Sequence, residues 1–285
     1  MKARKDDSWF MSVANFYLSG NEVHDRVIKS LFIGCPVEKE LRDVQDYAPS
    51  DIAVVFGVFK KSIPFSQHRG KIIEEQKRLN KKVLILETGY IHRGDGENHY
   101  YAAGFTGLNG RADFRNQNSP QDRFDKLGIE IKDWRIKDNG PILLCAQVPW
   151  DASVQSINMS EWILDMAHVI QQVTDREIIF RPHPLAKMPP IHGLDYSTCP
   201  IKEDLDRAYS VVTFNSNTAV EAVMDGIPSF SFDVGSMAYE VTSHNLNTLE
   251  TPLVFDRQQW ANNLAYAQWT LDEMKKGEAW EHLFR

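Results

Sequence analysis

Three polar clusters carry residue types that can do chemistry, and each follows a short apolar run. The first is Arg181-Pro182-His183-Pro184. The second is Asn215-Ser216-Asn217-Thr218, with Glu221 one turn further on. The third is Glu87, followed by Thr88 and Gly89. Imidazole, hydroxyl, amide and guanidinium groups are those that bind the oxygens of phosphates and nucleosides. A carboxylate at the mouth of a sheet is the group that takes a proton from a hydroxyl. A fourth set, Gln147, Asp151 and Ser153, follows the apolar run 141–148.

These clusters need strands to hold them. Runs 178–181, 210–214 and 229–232 are brief, apolar or β-branched, and bounded by turn residues, which predicts strands buried in a parallel sheet; 141–148 predicts another. In an open α/β sheet, ligands bind beyond the carboxyl ends of the strands, where all these clusters fall. Asn215 or Ser216 is the expected N-cap of a helix over 217–225, whose free N–H groups and dipole suit a phosphate. Gly226 stops that helix and Pro228 leads into the next strand. Helices are also expected over 160–172, with Trp162, Met166, Val169 and Ile170 as its core stripe, and from Lys202 to Ala208. Upstream, strand 51–57, helix 71–79 (Ile72, Ile73 and Leu79 inward) and strand 82–87 predict a βαβ unit. A helix begins at Asn21 with Val23, Val27 and Leu31 on one face. Trp9, Phe10, Phe16 and Tyr17 predict that 1–19 packs onto the body. One last helix is expected over 257–276, with Trp260, Leu264, Ala267, Leu271 and Met274 along one side.

A length of 285 residues suggests two domains, and 42% hydrophobic residues supply two cores. The composition shift at 119–139 places the boundary: 1–137, then 138–256, then a C-terminal segment 257–285. No apolar run is long enough to span a membrane, and the basic N-terminus lacks a following apolar stretch, so neither a transmembrane segment nor a secretory signal is expected. Cys35, Cys145 and Cys199 have neither metal-ligand nor disulfide spacing, which fits a reducing, cytoplasmic setting. Cys145 reads as a small core residue. A net charge of −7 disfavours a chain whose main task is coating nucleic acid. There is no Walker loop, dinucleotide-binding glycine fingerprint or nucleophile elbow.

The ordered clusters resemble the donor half of GT-B glycosyltransferases, most closely the Kdo transferases of bacterial capsule synthesis and related sialyltransferases. His183-Pro184, the Ser216/Thr218 motif, Glu221-Ala-x-x-x-Gly226-x-Pro228 and Gln147-Val-x-x-Asp151-Ala-Ser153 carry the likeness, which spans about 82–93 and 141–270. The resemblance implies an α/β, GT-B-like fold of two Rossmann-type domains facing a central cleft, with the terminal helix packing back across the domains. It implies a nucleotide-sugar donor, CMP- or UDP-linked, and no cofactor or required metal; no Asp-x-Asp motif stands at a strand end. Gln147, Ser153, Arg181, His183, Ser216, Asn217, Thr218 and Glu221 would bind the donor. Arg181 or His183 would offset charge on the leaving nucleotide, and Glu221 would hold the ribose. Glu87 resembles the general base of an Asp/Glu-Asp/Glu-Gly motif, but the second acidic position is Thr88. His92 or Asp95 would stand in if Glu87 does not serve.

The Gly- and aromatic-rich run 94–118 is long for an idle connection. Tyr101, Arg111 and Arg115, with Arg93, are expected to meet an acceptor by stacking on sugar rings or bases. Lys60, Lys61, His68 and Arg69 would add a basic, solvated rim. The expected acceptor is a surface or capsular glycan; the alternative is DNA with a hydroxymethylated base, as for phage glucosyltransferases. Outside the transferases stand a nucleotide-sugar epimerase, which needs no acceptor, and a non-catalytic nucleotide-sugar-binding protein, which the Thr88 departure keeps open.

Overall fold

In the computed structural model, residues 12–60, 62–94 and 96–285 are described; Trp9, Phe10, Lys61 and Asp95 lie outside them. The chain divides into two compact units, Met1–Arg123 with Asn262–Arg285, and Phe124–Ala261.

The first unit runs β1 (Val13–Leu18), α1 (Glu22–Gly34), β2 (Glu38–Asp43), β3 (Ile52–Phe56), α2 (Gln67–Arg78), β4 (Lys82–Thr88) and β5 (Tyr100–Phe105), and α3 (Asp122–Lys126) crosses its boundary. It ends with β11 (Gln268–Thr270), α8 (Leu271–Lys276) and α9 (Glu278–Leu283). Its sheet has the order β11-β5-β4-β3-β1-β2, with β1 to β4 parallel and β5 and β11 antiparallel. Alternation along the strands sends Phe16, Val54 and Leu84 to one face, against α1, α8 and α9. Tyr17, Val55 and Val83 go to the other, against α2.

The expected βαβ unit is present as β3, α2 and β4, but α2 starts earlier and Leu79 is 37% exposed at its end. Gln76 takes the inward place. It is sealed because its amide donates to the Ser50 and Lys82 carbonyls and accepts from the Tyr47 hydroxyl, a polar core position that apolar spacing does not register. The run 94–118 is not all loop, since β5 lies within it.

The single helix expected over 257–276 is broken. α7 (Gln258–Ala265) ends, β11 pairs with β5, and a new helix starts. The cause is local: Thr270 and Glu273 form a reciprocal capping box, each side chain bonded to the other's backbone N–H. Trp269 meanwhile sits on the Arg123 guanidinium, 3.9 Å from ring centroid to carbon, and that guanidinium pairs with Glu273 at 2.7 Å.

The second unit runs β6 (Ile142–Cys145), α4 (Met159–Val173), β7 (Ile178–Arg181), β8 (Asp195–Tyr196), α5 (Ile201–Arg207), β9 (Ser210–Thr213), α6 (Thr218–Met224) and β10 (Ser229–Ser231), and enters α7. Its sheet, β10-β9-β6-β7-β8, is wholly parallel, as the four apolar runs predict. α4 covers one face; α5 and α6 cover the other. The α4 core stripe is Met159, Ile163, Ala167 and Ile170, rotated from the expected one, and Val169 is 40% exposed. Cys145 faces the α5/α6 layer, where burial pushes its thiol up to about 12, so it is an inert core residue. Among the described residues no helix is long and apolar enough to cross a membrane.

The C-terminal segment is locked to α1. A Cβ on Gly34 would lie 2.0 Å from the Met274 carbonyl oxygen, an approach only glycine permits. Trp280 is fully buried and donates to the Leu31 carbonyl at 2.9 Å. Trp280→Ala should therefore cost about 3–5 kcal/mol, read as a fall in the urea midpoint; a loss under about 1 kcal/mol would show that the segment does not hold the unit together.

Candidate functional site

At the carboxyl edge of the second sheet, one asparagine ties three loops together. Gln147 follows β6 and Asn215 follows β9. The Gln147 amide oxygen accepts from the Asn215 backbone N–H at 3.0 Å, and the Gln147 amide nitrogen donates to Asn215 Oδ1 at 2.6 Å. Asn215 Nδ2 then donates to the Ser153 carbonyl at 3.0 Å and to Asp233 Oδ1, just past β10, at 2.8 Å. Both amides are buried. Neither Asn215 nor Ser216 is the N-cap of α6: that position falls on Asn217, and no side chain caps it. Ser216 Oγ instead accepts from the Thr218 N–H at 3.2 Å and donates to Thr218 Oγ1 at 3.1 Å.

The Asn215 hub presents a half-buried polar row. Ser216, Asn217, Thr218 and Glu221 all lie partly open, with Asn217 Nδ2 donating to Glu221 Oε1 at 3.4 Å. α6 has only 7 residues, two fewer than the 217–225 reading, so hydroxyls rather than a long helix dipole carry the anion-binding capacity here. His183, just past β7, is also half-buried. Its Nδ1 accepts from the Leu185 N–H at 3.1 Å, which places the proton of the neutral ring on Nε2.

Three expected ligand-binding side chains are committed elsewhere. Gln147 is consumed by Asn215. The Ser153 hydroxyl donates to Asp151 Oδ1 at 2.8 Å. Arg181 Nη1 donates to Asp204 Oδ2 at 2.5 Å and to the Cys199 carbonyl at 2.7 Å. Asp204 is fully buried and also takes bonds from Ser197 and Arg207. Its charge must be met inside the protein, and Arg181 meets it through Nη1, which ties the guanidinium's charge to Asp204. Burial works to raise the Asp204 carboxyl, but hydrogen bonds from Ser197, Arg207 and Arg181 outweigh it and hold the group below the usual carboxylate range.

The first unit sets Glu87 at the carboxyl end of β4. Glu87 Oε1 accepts from the Thr88 N–H at 3.0 Å and the Thr88 hydroxyl at 3.2 Å. The residue that departs from the acidic pattern therefore orients the carboxylate. His92 and Arg93 are exposed on the loop that follows. Tyr101 is fully buried in the core, its hydroxyl donating to the Gly96 carbonyl, so its ring is not offered to an acceptor. β5 is antiparallel to β4, with Glu87 opposite Ala102 and Leu84 opposite Phe105. The chain therefore leaves β5 at the end where β4 begins, and the loop that carries Arg111 and Arg115 then meets Tyr90, whose hydroxyl donates to Asn109 Oδ1 at 3.3 Å and whose ring stands edge-on to Phe114, while Arg115 donates to the Arg285 carbonyl at 2.7 Å.

Because the folded Asp204 carboxyl lies below its unfolded value of about 3.9, its contribution to stability is present above that pH and lost as pH falls through the folded value. Asp204→Asn should cost about 3 kcal/mol or more at pH 7 by leaving Arg181 and Arg207 without their counter-charge. In a pH series of denaturant titrations the gap to wild type should close in acid; a gap independent of pH would contradict the buried ion pairing.

No protein-family model matches the sequence, and no curated protein matches it. Solved structures do. The beta Kdo 2,4 transferase of Thermosulfurimonas dismutans KpsC superposes with a TM-score of 0.56 at 13% identity, over 90% of this chain and 90% of that one. The beta Kdo 2,7 transferase of the same KpsC superposes with a TM-score of 0.59 at 15% identity, over 96% of this chain and 100% of that one. At such identities the likeness is one of fold: this chain has a mixed α/β, Kdo-transferase-like glycosyltransferase fold.

Proposed function

We propose that the chain is a glycosyltransferase that moves a sugar from a nucleotide-sugar donor to a hydroxyl of a glycan. The observation that carries this reading is the Asn215 hub. It fixes the ends of three adjacent parallel strands and leaves Ser216, Asn217, Thr218 and Glu221 half-open, at the edge where α/β sheets bind nucleotides. The fold likeness supports the reading without deciding it.

In this mechanism the second unit holds the donor. The hydroxyls of Ser216 and Thr218 and the Nε2–H of His183 bind the phosphate oxygens, and Glu221 accepts from ribose hydroxyls. With Arg181 committed to Asp204, the His183 N–H and the hydroxyls stabilise the charge that builds on the leaving nucleotide. Glu87 takes the proton of the acceptor hydroxyl as its oxygen attacks the anomeric carbon, and the bond from that carbon to the nucleotide phosphate breaks. Thr88 holds Glu87 by one of its two oxygens, leaving Oε2 for the proton. CMP- and UDP-linked sugars are the donors to try, and a capsular or other surface glycan is the acceptor this reading favours.

Glu87→Gln separates binding from turnover. Nucleotide release from a panel of CMP- and UDP-sugars, with glycan and hydroxymethylated-DNA acceptors, should depend on a glycan and fall by about 10²-fold or more in the variant, while donor affinity is kept. Nucleotide release without any acceptor, unaffected by Glu87→Gln, would point to an epimerase-type reaction and sink the transferase reading.

A further inference from the structure

Arg69 belongs by sequence to a basic rim, yet it is only 9% exposed. It sits in the first turn of α2, and its Nη1 donates to the carbonyl of Phe56, the last residue of β3, at 2.6 Å. No other hydrogen bond and no ion pair engages its guanidinium among the described residues. A guanidinium offers five N–H donors in a rigid fork, and a buried cation with one acceptor is costly unless an anion or water completes it.

The two other arginines that are buried among the described residues show what completion looks like. Arg123 is met by both carboxylate oxygens of Glu273, the Ala265 and Gln268 carbonyls and the face of Trp269. Arg257 donates to the Val223 and Lys132 carbonyls and lies over Trp134. Arg69 has no carboxylate within ion-pairing distance and no ring beneath it; the Glu87 carboxylate acts on it only across a gap.

Its setting is the edge that holds Glu87. Gly57, at φ +70°, follows β3; a Cβ there would lie 3.3 Å from Arg69 Nη1 and 3.7 Å from Glu87 Oε2. The absence of a side chain keeps open the space onto which the cation and the carboxylate both converge. The His24 ring lies flat on the Phe56 ring at the same strand end, with centroids 4.1 Å apart.

We propose that Arg69 is the centre of an oxyanion-binding subsite at the carboxyl edge of the first sheet, which receives a carboxylate or phosphate group carried by the acceptor. Gripped there, the acid group would set an acceptor hydroxyl against Glu87, and the fork of Arg69 suits either oxyanion bidentately. The assignment to the acceptor rests on the transferase reading; the anion site stands on the geometry of Arg69 alone.

Titrations of inorganic phosphate and of sodium glucuronate, at ionic strength held constant with sodium chloride, test it by calorimetry. Wild type should bind at least one of the two, and which one binds tells whether the acid group is phosphate or carboxylate. Arg69→Gln should abolish that binding. Glu87→Gln should tighten it at least about fourfold, since a like charge about 5 Å away is removed. Binding that survives Arg69→Gln unchanged, or that ignores Glu87→Gln, places the anion elsewhere and overturns the proposal, as does the absence of binding to both wild type and Glu87→Gln. Should Arg69→Gln not fold, the response to Glu87→Gln decides. A null with every nucleotide sugar, alongside Arg69-dependent anion binding, removes the transferase reading and leaves the subsite.

Discussion

The reciprocal hydrogen bonds between Gln147 and Asn215 are the constraint on which the second unit's edge depends. They join residues 68 positions apart, and they do so where water is largely excluded, so each broken bond exposes a desolvated amide at a cost of about 1–3 kcal/mol. Because Asn215 also grips the Ser153 carbonyl and Asp233, the loops after β6, β9 and β10 cannot move independently. A set of half-open hydroxyls can be preorganised for a phosphate only when the backbone beneath it is fixed in this way.

Buried charge shapes both units, and it decides which cations remain for ligands. In the second unit the buried Asp204 draws in Arg181 and Arg207. In the first, Glu273 and the Trp269 face absorb Arg123. Ion pairs of this kind add little net stability but punish the loss of either partner. They hold the strand ends, and in the proposed reading the ligand chemistry falls to His183 and the hydroxyls in one unit, and to Glu87 and Arg69 in the other.

Much of the second unit was legible in sequence because its strands are buried on both faces. Apolar runs at 142–145, 178–181, 210–213 and 229–231 have no competing explanation, and Gly226, at φ +76°, ends α6 where expected. The first unit was harder. β2 is the charged edge strand Glu38–Asp43, with no apolar signature, and β11 hides inside a helical spacing of apolar residues. Which polar residues would be spent was not legible at all. Arg181 and Gln147 look like ligand-binding groups until Asp204 and Asn215, distant in sequence, claim them. Arg69 looks like a surface charge until the chain buries it. Side-chain identity named the groups; only the pairing of remote residues showed which are free to act.

Whether the row beside Asn215 holds a nucleotide is decided by calorimetric titration of CMP and UDP into wild type and His183→Ala. One nucleotide should bind wild type, and affinity should drop at least about tenfold in the variant, the loss of one charge-assisted hydrogen bond of about 1.5–3 kcal/mol. Absence of binding by either nucleotide, or equal binding by both proteins, would contradict it.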